Sequence, residues 1–102
     1  MSKIYKIFQL NEDKQDLLFR DYKESTFDFN NYHKVWEEEC PPCMTDDNDM
    51  VNVDKIYMKF NMGNKPEGYK GHSLSVSDVV ETNGRLYYCN SMGWKKLDIK
   101  AA

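Results

Sequence analysis

Apolar residues crowd the start of the chain. Ile4, Tyr5, Ile7, Phe8 and Leu10 are broken only by Lys6 and Gln9, a β-branched and aromatic composition that predicts a first strand. After the polar Asn11-Glu12-Asp13-Lys14, the run Leu17-Leu18-Phe19 is too short for its period to separate strand from helix over residues 15–24. Tyr32, Val35 and Trp36 predict another strand, closing before Cys40-Pro41-Pro42-Cys43. Consecutive prolines remove two backbone donors, so residues 40 to about 50 are expected to be irregular.

Helical spacing is clear in one place. Val53, Ile56, Tyr57 and Phe60 stand at i, i+3, i+4 and i+7, predicting a helix over 53–60 with Lys55 and Lys59 outward. Asn52 fits as its N-cap, and Asp54 lies in the first turn, where the helix dipole favours an anion. The glycines and proline of residues 61–71 predict a loop, and Leu74-Ser75-Val76-Ser77 alternates like a strand. Val79-Val80, the turn Asn83-Gly84, a strand Arg85–Cys89, a turn over 90–93 and a last strand from Trp94 to Ile99 form a β-meander. The expected fold is α+β: a small, mostly antiparallel sheet of about five short strands, with one short helix at about 53–60 and a C-terminal β-meander. Residues 1–102 are expected to form a single domain.

Charge divides the chain unevenly. Residues 1–36 balance six bases against six acids, and residues 55–102 carry eight bases against four acids. Residues 37–54 hold Glu37, Glu38, Glu39, Asp46, Asp47, Asp49 and Asp54 with no base. Such a window is either a solvated loop or an anionic patch that meets a basic groove on a partner. The patch of Glu37, Glu38, Glu39, Asp46, Asp47 and Asp49 is therefore the first candidate for partner binding. A net charge of −3 and a pI near 5.3 argue against direct nucleic-acid binding, which usually needs a basic face. Mean hydropathy of −0.81 and the lack of a long apolar run or leader-like start predict a cytoplasmic protein, with no membrane partner.

Candidate chemistry is sparse. Cys40 and Cys43 form a C-x-x-C pair that could chelate zinc or form a redox dithiol, but no second ligand pair exists, with only His33, His72 and Cys89 remaining. The surrounding acids would raise a thiolate pKa, so Cys40 and Cys43 are weak metal candidates, and no cofactor is expected. His72, the serines Ser73, Ser75 and Ser77, and Asp78 lie too close along one extended segment to form a triad. The serines fit turn caps, Asp78 a carboxylate holding backbone amides, and His72 a structural residue. No catalytic residues are assigned, and the chain is not expected to be an enzyme.

Aromatic residues are plentiful: seven tyrosines, five phenylalanines and two tryptophans. Tyr and Trp favour interfaces, so Tyr87, Tyr88 and Trp94 form the alternative partner-binding set, with one of Tyr87 and Tyr88 expected to face out. Trp94 beside Lys95 and Lys96 could stack a base or be a buried indole with a solvated lysine pair.

Four segments carry a family resemblance: Ile4-Tyr5-Lys6-Ile7-Phe8-Gln9-Leu10; Ile56-Tyr57-Met58-Lys59-Phe60-Asn61; Tyr69 to Val80, with its core Gly71-His72-Ser73-Leu74-Ser75-Val76-Ser77-Asp78-Val79-Val80; and Tyr88-Cys89-Asn90-Ser91-Met92-Gly93-Trp94. In that order they resemble the YodL-like domain. The resemblance implies a context in Firmicutes, their conjugative elements and phages, beside anti-restriction and DNA-processing modules. A small free-standing acidic member implies a non-enzymatic inhibitor of a host defence nucleoprotein, of anti-CRISPR or anti-restriction type. Its expected partner is a CRISPR effector or another defence complex, whose basic nucleic-acid-binding surface it would occlude. The alternative is a general protein–protein interaction or regulatory module.

Overall fold

The computed structural model describes residues 4–23, 25, 27–39, 49–62, 67–69, 71 and 73–97. Among these residues five strands form one antiparallel sheet: β1 (Ile4–Leu10), β2 (Tyr32–Glu39), β3 (Val79–Thr82), β4 (Arg85–Asn90) and β5 (Gly93–Lys96). Their spatial order is β2-β1-β3-β4-β5, so the first strand runs down the interior and β2 and β5 form the edges. One helix, α1 (Asp49–Met62), crosses one face. The α+β class, the antiparallel sheet and the C-terminal meander all match the sequence pattern. Among the described residues, no helix is long and apolar enough to cross a membrane.

Both sheet faces are covered over the central strands, so β3 is buried along its whole length and β1 and β4 over most of theirs. On the helix side, Tyr5, Ile7, Val80 and Tyr87 pack with Val53, Ile56, Phe60 and Leu74. On the other side, Val79, Leu86, Tyr88 and Leu97 meet Phe8, Tyr22, Phe27, Phe29 and Tyr32. Adjacent residues of a strand point to opposite faces, so Tyr87 and Tyr88 are buried in different layers. The expectation that one of the two faces solvent is corrected. It assumed a sheet with one wet face, whereas the coil between β1 and β2 supplies aromatic rings as a second layer.

The helix starts earlier than its apolar stripe. Asp49, Asn52, Val53, Ile56 and Phe60 form the buried line, while Tyr57 stands at its margin with 38% exposed. Asn52 is therefore interior, with its amide donating to Thr82 Oγ1 at 3.4 Å, and is not the N-cap. Two polar residues extend the stripe because the sheet offers them partners, a fact that apolar spacing could not register. Of the ambiguous residues 15–24, the first three end a 3₁₀ helix, Glu12–Leu17, and the described residues after them form neither helix nor strand. Residues 74–77 form no strand: Asp78 N donates to Ser75 O and Ser77 N to Cys89 O, closing a turn with Ser77 at φ +90°. At the Asn83-Gly84 hairpin both residues have positive φ, +53° and +77°, as that turn requires.

Candidate binding surface

The acidic candidates separate into two groups. Glu37 and Glu39, on edge strand β2, are exposed. Glu37 accepts from Lys34 Nζ at 2.9 Å and lies 3.8 Å from Lys6 Nζ. The Lys34 hydrogen bond holds its carboxyl below the usual range, so Glu37 is charged at neutral pH. Glu38 points to the helix face, where its Oε1 accepts from Lys59 Nζ at 2.8 Å and from the Tyr5 hydroxyl. Burial pushes the Glu38 carboxyl up, but these donors outweigh it and the net direction is down.

Asp49 behaves differently from the expected loop acid. It is 7% exposed at the start of α1, with Oδ1 accepting from Asn83 Nδ2 at 2.7 Å. Its Oδ2 accepts from Arg85 Nη1 at 2.7 Å and the Tyr87 hydroxyl at 2.5 Å. Burial raises its pKa, the three donors lower it, and the donors win. Asp49 therefore ties the first turn of α1 to the β3–β4 hairpin, and both its carboxylate oxygens already accept from that hairpin. Asp46 and Asp47 lie outside the described residues, as do Cys40, Cys43 and His72.

A second polar centre lies beneath the turn before β3. Asp78 is fully buried, and its Oδ2 accepts from Ser75 N at 3.0 Å and from Gln9 Nε2 at 3.2 Å. Gln9 Nε2 also reaches Tyr69 Oη at 3.3 Å. The amide-holding role expected of Asp78 is the one it performs. A Cβ on Gly71 would come within 2.5 Å of Gln9 Oε1 and 2.6 Å of Tyr69 Oη, which accounts for the glycine. Burial, reinforced by Asp78, pushes the Cys89 thiol up to about 12, leaving it neutral and unreactive at pH 7. Among the described residues, no group of three or more His, Cys, Asp or Glu side chains could hold a metal ion.

Of the aromatic candidates, only Trp94 reaches solvent. It is half-buried on β5, with its indole N–H donating to Asp54 Oδ1 at 3.2 Å. The Tyr57 ring meets it edge-on, with centroids 6.3 Å apart and planes at 87°. Sequence reading missed Asp54 and Tyr57 as neighbours of Trp94, because forty residues separate Asp54 from the indole it accepts.

The chain matches the YodL-like domain over residues 4–99. It belongs to that family. The match covers all five strands and α1, so the YodL-like domain and the sheet-and-helix unit described above coincide. No curated protein and no solved structure matches the chain.

Proposed function

We propose that this YodL-like protein is a non-enzymatic binding protein of a phage or mobile element that inhibits a host defence nucleoprotein. It would act in the bacterial cytoplasm on a complex of anti-CRISPR or anti-restriction relevance, lying over a Lys- and Arg-lined surface that otherwise holds nucleic acid. The observation that carries the proposal is the exposure of Glu37 and Glu39 on the outermost strand, where the chain enters a stretch rich in acids. An anionic edge of this kind accelerates encounter with a basic surface and fixes its orientation.

The test is competition. Purified CRISPR effectors and restriction enzymes, each with labelled nucleic acid, are titrated with the protein, and association rates are followed at two salt concentrations. At least one nucleoprotein should lose its nucleic acid. Association should slow at least about 10-fold as salt rises from about 0.1 M to about 1 M, where the Debye length falls from about 10 Å to about 3 Å. Reversing Glu37 and Glu39 to Lys should slow it further, and the Glu39→Lys single variant, whose side chain is exposed, should do so with stability left within about 0.5 kcal/mol. Displacement from no member of the panel would sink the inhibitor proposal. Displacement that ignores both salt and reversal would favour a contact through aromatic residues.

A further inference from the structure

Away from β2, an open groove of about 280 Å³ lies between α1 and the β4–β5 hairpin. Asp54 and Tyr57 come from one side of the helix, three residues apart, and Trp94 from β5; Asn90, Ser91 and Cys89 complete the hairpin wall. The indole N–H holds the Asp54 carboxylate against the ring through Oδ1, leaving Oδ2 without a partner among the described residues. Two aromatic rings set at right angles and one negative charge thus border the same small space.

That combination selects a cation. The negative face of an aromatic ring attracts a positive group, and a carboxylate at the ring edge adds charge and direction. The same carboxylate opposes phosphate, so a stacked nucleotide is disfavoured. The chain's neighbouring lysines with visible contacts point elsewhere: Lys95 Nζ lies 5.9 Å from the Tyr22 centroid, and Lys59 Nζ is on Glu38. A guanidinium suits the site better than an ammonium, since its plane can stack on the indole while its fork reaches a carboxylate.

We propose that Asp54, Tyr57 and Trp94 form a seat for one arginine side chain of a protein partner. This deepens the proposed function and rests on it, since a surface that binds nucleic acid is rich in arginine. The site is also separate from Glu37 and Glu39, lying at the β5 end of the sheet.

The experiment follows the indole N–H resonance of Trp94, assigned with a Trp94→Phe variant, during titration with a blocked Gly-Arg-Gly peptide. The neutral isostere Gly-citrulline-Gly and a short oligothymidylate serve as comparison probes. The arginine peptide should give a saturable shift with a dissociation constant in the range of roughly 1–100 mM, and the other two none. Asp54→Asn and Tyr57→Leu, checked for unchanged melting temperature, should each weaken binding at least about 3-fold. An unmoved resonance, an equal response to citrulline, or a response only to the oligonucleotide would overturn the proposal. Arginine binding without displacement of any nucleoprotein removes the inhibitor proposal and keeps the seat; displacement without arginine binding removes the seat alone.

Discussion

Replacing Asp49 with alanine should destabilise the protein by about 2–4 kcal/mol, enough to lower the melting temperature by more than about 10 °C. Asn83, Arg85 and Tyr87 all direct donors at this one carboxylate. Arg85 is half exposed and recovers water when the acceptor is removed, which discounts its share. Tyr87 is 4% exposed and its hydroxyl would lose an anionic acceptor in a buried setting, so its share is the larger one. Asp49→Asn keeps a carbonyl acceptor and should cost less than half as much. Chemical denaturation of the three proteins at pH 7 checks the order.

Acid should reproduce part of that loss. The folded carboxyl titrates below its ordinary value of 3.8, so the ionised form is the one that folding favours. A depressed folded pKa contributes stability that is present above the unfolded value and lost as pH falls through the folded one. The gap between the wild type and Asp49→Asn should therefore be constant near neutrality and shrink below about pH 4. A gap that widens in acid would mean that Asp49 is held protonated in the fold, contrary to the donors around it.

Phe60→Ala should have an effect of similar or larger size, about 3–5 kcal/mol. Phe60 is fully buried in the last turns of α1, with its ring centroid 6.4 Å from Tyr5 and 4.8 Å from Tyr69. It joins the helix to β1 and to the segment that leads back to the sheet, so truncation opens a cavity bordered by two rings that are themselves anchored. Tyr5 is held by its hydroxyl on Glu38 and Tyr69 by Gln9, which limits collapse into the space. Urea unfolding would measure the loss. A change under about 1 kcal/mol would mean that α1 repacks freely on the sheet, and that its polar attachments through Asp49, Asn52 and Lys59 hold it in place.

The sequence by itself determined the local elements of this YodL-like domain. The apolar spacing of Val53, Ile56 and Phe60 specified a helix, Asn83-Gly84 specified a hairpin through its positive φ values, and the composition of residues 4–10 specified a strand. Those signals are short-range, since propensity, period and turn chemistry act within a few residues. The acidic character of residues 37–54 was equally plain in the sequence. Tertiary structure decided what each acid does: Glu37 and Glu39 face outward, Glu38 is taken by Tyr5 and Lys59, and Asp49 is consumed by three donors from a distant hairpin. It also decided that Tyr87 and Tyr88 are both interior, and that Asp54 and Tyr57 meet Trp94. The physical reason is the same in each case. Burial and hydrogen-bond partnership depend on what covers the second face of a sheet and on residues brought together from twenty or more positions away, and no local pattern encodes either.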